Sequence, residues 1–338
     1  MINYADISSA YLFVSDLDVV VFSAQSTMTL VITDAGGATV ISCSYTPVDG
    51  VVKVYDLDQL LSPLIGEVMA DFTFSVNSIS SVLHILQSNI RVGDGADAFL
   101  AGHFLSSVQA ARDTAVGRKE MVTLLSTSGT VDVTATCVYA DGEMCVPQSV
   151  TLASSLPSGI VHEVDCSPSL LVNDSLGVLV QYTVSSGGRK MTFRVSPTQT
   201  HRLALLMRNS FGAWESCYFQ GMNEHDPKIT RDMAVVNTLL RPLRIDEEDI
   251  CKSYTGPLRP GAVQLFRDLA RSRDVMLLED GVASDPVVVT DADVKHTDDD
   301  GSLPAFTFTW RRASRTGLMM NASRVPRIFD DTFDESFN

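Results

Sequence analysis

The side chains of this sequence that could carry chemistry are its histidines, cysteines, clustered carboxylates and tryptophans. Six histidines, at positions 84, 103, 162, 201, 225 and 296, are dispersed, and no two stand at the spacing of a metal-binding motif. Six cysteines, at 43, 137, 145, 166, 217 and 251, contain no Cys-x-x-Cys pair, which counts against a structural zinc site or a thioredoxin-type dithiol. There is no G-x-S-x-G nucleophile elbow, no phosphate-binding loop and no G-x-G-x-x-G fingerprint. The acidic run Asp291 to Asp300 has ligands that would suit calcium, but it fails the EF-hand template. With Gly301 in the glycine place, His296 and Thr307 would fall where an Asp and a bidentate Glu are needed. Carboxylates that could serve a glycosidase, Asp246 to Asp249 among them, are too numerous to single out a pair. Trp214, Tyr218 and Trp310 could form a sugar-stacking platform, although aromatics at alternating strand positions usually belong to a core. The residues therefore assign no catalytic group, no cofactor site and no metal ligand.

Charge excludes a further class. The chain of 338 residues has a formal net charge of -16, with 45% apolar and 20% charged residues, and is long enough for two or three domains with real cores. Before Arg91 the only Lys or Arg is Lys53, against eight Asp and Glu67, so the N-terminal region carries about half of the net charge. Such a surface repels phosphate backbones and predicts no nucleic-acid partner. No apolar run approaches the roughly 20 residues of a membrane span. The N-terminus, Met1 to Asp6, has no basic region leading into an apolar stretch, which predicts a soluble chain without a cleaved export signal. The cysteines are expected to be free and mostly buried. Cys137 and Cys145 flank the turn at Ala140-Asp141-Gly142-Glu143; a two-residue turn would set them on opposite faces, a three-residue loop face to face.

The elements that must position these groups are mainly strands. Runs rich in β-branched and aromatic residues at 10–14, 19–22, 28–33, 39–45, 51–55, 72–76 and 82–86, with a short helix over 57–65, predict a β-sandwich. The segment Gly50-Val51-Val52-Lys53-Val54-Tyr55-Asp56, followed by Leu60-Leu61, has a counterpart in Gly159-Ile160-Val161-His162-Glu163-Val164-Asp165, followed by Leu170-Leu171. A hairpin turn precedes each, at Asp34-Ala35-Gly36-Gly37 and at Ala140-Asp141-Gly142-Glu143. The repeat distance is a little under 110 residues, about one sandwich, so the sequence reads as two tandem copies of one β-domain.

Ala96 to Ala111 has loose helical spacing and reads as the packing linker, ending near the basic pair Arg118-Lys119. His201 to Gly221 reads as a hairpin about an Asn209-Ser210-Phe211-Gly212 turn. Strands are then expected at 233–240 and 243–245, an amphipathic helix over Pro260 to Arg271, and strands at 275–278, 286–290, 306–310 and 318–321. The fold class is thus mainly β, with tandem β-sandwich domains followed by a β-rich (α+β) C-terminal domain with one clear helix. The boundaries are 1–95 for the N-terminal sandwich, 96–120 for the linker, 121–200 for its repeat, 201–326 for the C-terminal domain and 327–338 for a tail. In that tail Phe329, Phe333 and Phe337 lie four apart with Asp330, Asp331, Asp334 and Glu335 between them, an aromatic stripe flanked by acids if helical. Leaving three phenylalanines in water costs about 1.5 to 3 kcal/mol each relative to burial, which predicts docking on a neighbouring subunit.

The segment RNSFGAWESCYFQG, the downstream Tyr254-Thr255-Gly256-Pro257-Leu258, the helix, the late FTFTW strand and the earlier TAVGRKEM at Thr114 to Met121 together resemble a group of structural proteins. These are encoded with tail genes in phages and prophages of Bacteroides-type gut bacteria, and the likeness spans roughly residues 100 to 320. The resemblance implies a non-enzymatic tail or baseplate component of the virion, assembled in the bacterial host cytoplasm. Its partners would be copies of itself, as a ring or other homo-oligomer, and other tail proteins; no catalytic residues come with it. Phe211, Trp214, Phe329, Phe333 and Phe337 are the expected interface residues. The alternative is a receptor- or carbohydrate-binding tail protein with a surface glycan as its partner.

Overall fold

The computed structural model describes residues 2–4, 10–109, 111–141, 144–196, 201–236, 239–294 and 303–313. Its architecture is mainly β, in three units with separate cores and one shared junction.

In the first unit Val19–Ser23 pairs antiparallel with Val51–Tyr55, and Ile2–Asn3 lies parallel to the former, giving a three-stranded sheet. The alternation of the sequence explains which face is covered: Val20, Phe22, Val52 and Val54 point inward. They meet Leu30, Ile32, Phe72, Phe74, Leu83 and Ile85 from a five-stranded sheet. That sheet runs in the order Tyr11–Phe13, Ile79–Leu86, Met69–Val76, Met28–Asp34, Thr39–Tyr45, with the first pair parallel.

The second unit repeats this connectivity except for Ile2–Asn3, which has no counterpart among the described residues. Met121–Leu125 pairs antiparallel with Val161–Asp165, and the hairpin between them is Val131–Asp141 with Met144–Leu156. A second hairpin, Val178–Ser186 with Arg189–Ser196, follows, and Arg112–Ala115 joins its far edge in parallel as Tyr11–Phe13 does in the first unit. The strand order of the five-stranded sheet matches position for position between the two units. So does the motif that announced the repeat. Leu61 and Leu171 are buried, each in its own unit's core, whereas Leu60 and Leu170 are exposed. In the first copy the closing aspartate follows the strand and directly precedes the helix Leu57–Leu61; in the second it ends the strand, shortly before the helical turn Pro168–Leu170. Cys137 is buried and Cys145 exposed, and Ala140 pairs with Cys145, so these cysteines occupy opposite faces. All six cysteines are free thiols, four of them buried.

The third unit is a seven-stranded sheet in the order Trp214–Phe219, Leu203–Arg208, Val275–Glu279, Val282–Asp293, Thr307–Arg312, Leu239–Tyr254, Asn223–Val236. Leu203–Arg208 is buried on both faces. Leu203, Leu205 and Met207 belong to the main core, while Ala204 and Leu206 face a smaller cluster with Tyr218 and Leu278. A helix over Pro260–Arg271 covers the sheet with Val263, Leu265, Phe266 and Leu269; proline sits at its start and Arg271 in its last turn, as the helix dipole favours. The Phe266 ring meets Phe219 edge-on at 5.2 Å.

Two expectations are corrected here. Residues 233–240 are not one strand: the chain runs out along Asn223–Val236 and back along Leu239–Tyr254, a hairpin much longer than the sequence pattern suggested. Its first strand lacks apolar alternation because every residue from Glu224 to Met233 is exposed. The linker helix covers Gly95–Gly102 only, and ends at His103, whose backbone is extended. The expected strand at 318–321 and the tail lie outside the described residues.

Candidate assembly site: a locked body, a projecting ribbon and an arginine cleft

The turn after Leu203–Arg208 is built by Asn209. Its Oδ1 accepts the backbone N–H of Phe211 (2.8 Å) and of Ala213 (3.1 Å), and its Nδ2 donates to the Leu105 carbonyl (2.8 Å). This Asx-type closure pushes Phe211 forward. Phe211 is fully buried in a junction formed by Phe13, Val68 and Leu86 of the first unit, Leu100 and Leu105 of the linker, and Leu125 of the second. Its ring stacks on Phe99 at 5.0 Å. Phe211 is therefore corrected from a subunit-interface residue to an internal one, since a side chain with no exposure in the single chain has nothing left to offer a neighbour.

Polar contacts complete the lock. Asp268 on the helix accepts the hydroxyls of Ser210 (2.8 Å) and Ser107 (2.5 Å). Between the second and third units, Arg112 is buried against two carboxylates, Glu215 at 3.0 Å and Glu120 at 3.5 Å, and donates to the Ser216 carbonyl. Ser106 donates to Glu215 at 2.6 Å. Burial pushes the Glu120 carboxyl above its ordinary range, with Arg112 pulling against it. A buried ion-pair network of this kind fixes geometry more than it adds stability, and it fixes how these two units sit.

From this body one hairpin projects. The ladder of Asn223–Val236 with Leu239–Tyr254 continues from Asn223 opposite Ser253 to Val236 opposite Leu239, but Thr307–Arg312 supports it only over Ile250–Tyr254. Among the described residues, beyond Ile250 the two strands pair only with each other for about 30 Å, at roughly 3.4 Å per residue. Every residue from Glu224 to Met233 is exposed, so the ribbon is solvated on both faces. Its apolar side chains include Ile229 (52% exposed), Met233, Leu239 and Leu240 (65% exposed). Among the described residues Asn223–Val236 is also the edge strand of the sheet, paired on one side only.

The second feature is a cleft of about 380 Å³ between the second and third units. Arg112, Arg118, Arg194 and Arg259 line it against Asp113 and Glu120, with an apolar floor that includes Leu258, Leu265 and Phe266. Arg194 and Arg259 share one partner, Asp113, at 3.8 and 3.3 Å. Arg118 is buried, its guanidinium 4.6 Å from the Tyr218 ring centroid, and its Nε and Nη2 have no hydrogen-bond partner among the described residues. Burial lowers its pKa, against the pull of Glu120. In a chain of net charge -16 this is a local reversal of sign.

The other sequence candidates are placed as follows. Trp214 is half-buried and its ring is covered by Arg208 at 4.5 Å. Tyr218 is buried with its hydroxyl bonded to the Lys119 backbone, and Trp310 is buried and donates to Ser253. The three do not form an open platform. Glu248 pairs with Arg311 at 3.2 Å on the ribbon's flank. Phe329, Phe333, Phe337 and most of the acidic run 291–300 lie outside the described residues. Among the described residues no helix is long and apolar enough to cross a membrane. No family model matches the chain, and a comparison with curated proteins finds none that is similar.

Proposed function

We propose that this chain is a non-enzymatic structural subunit of a virion, a phage tail or tail-tip (baseplate) component that works by assembling with copies of itself. The observation that carries the reading is the ribbon. An isolated two-stranded hairpin is at best marginally stable in water, and one with exposed Ile229, Met233, Leu239 and Leu240 gains by laying these on another protein. The body it springs from is braced by the Phe211 junction and the Arg112 network, as suits a part that transmits position. The resemblance of the 100–320 region to tail-encoded proteins supports the virion setting.

The arginine cleft is the second contact in this reading. It suits an acidic, apolar segment, and residues 327–338 of a neighbouring copy have that composition, with three phenylalanines among four acids. The test is to replace residues 227–249 by a two-residue Asn-Gly turn and to measure mass by size-exclusion chromatography with light scattering. Wild type is expected to form a defined oligomer and the shortened chain a folded monomer. A wild type that stays monomeric at high concentration, or a shortened chain that assembles equally well, would overturn the proposal.

A further inference from the structure

At the point where the ribbon leaves the sheet, three side chains of different donor chemistry converge. His225 and Cys251 are directly opposite each other in the ladder, which puts both on one face, and Asp249, two residues before Cys251, shares that face. His225 Nδ1 lies 3.3 Å from Cys251 Sγ and 3.7 Å from Asp249 Oδ1, and the three ligand atoms all lie within 4.8 Å of one another.

We propose that His225, Asp249 and Cys251 form a binding site for a divalent transition metal of the zinc class, stapling the two strands of the ribbon at its root. In a tetrahedral zinc site, with bonds of about 2.0 Å to nitrogen and oxygen and 2.3 Å to sulfur, neighbouring ligand atoms lie about 3.3 to 3.6 Å apart. The two distances at His225 are close to that, so closure asks only small side-chain shifts. One imidazole, one thiolate and one carboxylate is a set that selects zinc over calcium or magnesium, which prefer oxygen throughout. Cys251 is buried beside the core while His225 and Asp249 have side chains 59% and 57% exposed. The site therefore has a fixed inner ligand, two ligands free to adjust, and a solvent side for a fourth.

Hydrogen bonding alone leaves this group poorly resolved. One ring nitrogen faces both the sulfur and the carboxylate, and Asp249 is beyond hydrogen-bond reach of it. On binding, the Cys251 thiol gives its proton to solvent as the metal–sulfur bond forms, with no change of oxidation state. The consequence is mechanical. The site lies where Thr307–Arg312 stops supporting the ribbon, next to the Ile250–Arg311 pair.

The test uses the full chain with its cysteines reduced, titrated with Co²⁺ alone and then with Zn²⁺. One equivalent of Co²⁺ is expected to give thiolate-to-cobalt charge-transfer absorption that Zn²⁺ abolishes. Cys251→Ser is expected to remove the absorption, while Cys43→Ser and Cys145→Ser, which alter the exposed cysteines, leave it intact. Because Cys251→Ser disturbs a core position, His225→Ala and Asp249→Asn supply the independent check at exposed positions. Each should weaken metal binding by about 100-fold, since even outer-shell partners are worth 10 to 100-fold. No charge-transfer absorption with metal in excess, or absorption that survives in His225→Ala and Asp249→Asn at unchanged affinity, would overturn the proposal.

Discussion

The Phe211 ring, carried on a turn of the third unit, lies 5.6 Å from the Phe13 ring of the first. Neither side chain has any exposed surface. Units with separate cores are thereby joined through shared interior instead of through a wet interface. Phe211→Ala should cost about 3 to 5 kcal/mol, the range for deleting a buried phenylalanine. It should also split a single calorimetric unfolding transition into separate ones, because the shared junction is what couples the units. A single sharp transition in the variant, at nearly the wild-type temperature, would show that the junction couples nothing.

Gly212 permits that arrangement, and Gly37 provides the control. Both have positive φ, +75° and +82°, so a side chain at either position pays the left-handed penalty of about 1 to 2 kcal/mol. At Gly212 an added Cβ would also stand 2.3 Å from the Glu67 carbonyl oxygen, while at Gly37 nothing lies within 4 Å. Gly212→Ala should therefore destabilise clearly more than Gly37→Ala in urea denaturation. Equal losses would mean that the turn does not press on the first unit.

Asp165, the last residue of the repeated motif, yields a pH prediction. Burial raises its carboxyl, but hydrogen bonds from Lys119 and Ser167 outweigh this and hold it below the ordinary aspartate range. A depressed folded-state value stabilises above the unfolded value of about 3.9, and the contribution is lost as pH falls through the folded value. Asp165→Asn should be less stable than wild type at neutral pH, and the gap should close as the medium is acidified below that range. A gap independent of pH would assign the effect to packing.

What the sequence disclosed depended on how local the signal was. The strands Val51–Tyr55 and Val161–Asp165 were legible because each carries its valines and a nearby buried leucine, Leu61 or Leu171, within a short stretch. The helix Pro260–Arg271 was legible for the same reason, having its own proline start and apolar face. The ribbon was missed because strands solvated on both faces show no alternation, and Pro227 and Pro242 within them argue against a strand. Phe211 was read as facing a neighbouring subunit but is buried in the junction, since a turn sequence does not say what packs over it. The His225, Asp249 and Cys251 cluster has no motif spacing at all; only the register of the hairpin brings position 225 against 249 and 251. Arg118 stood out in the sequence only as half of a basic pair, and its cleft depends on contacts with Tyr218 and the helix far along the chain.

That cleft supports the last prediction. Arg118 buries a cation whose Nε and Nη2 have no hydrogen-bond partner among the described residues, and Arg194 and Arg259 divide one carboxylate between them, so an incoming acid would find donors already desolvated or shared. Hydrogen bonds to a charged partner are worth about 1.5 to 3 kcal/mol each, enough for one or two of them to change an association constant by an order of magnitude or more. Arg259→Glu is the safest probe, because its side chain is 62% exposed and its reversal leaves the core alone. Arg259→Glu and deletion of residues 327–338 should each weaken self-association and flatten its salt dependence. Combined, they should do little more than either alone, since both remove the same contact. Fully additive losses in the double variant would place the acidic tail elsewhere, and unchanged association in both single variants would leave the cleft without a role in assembly.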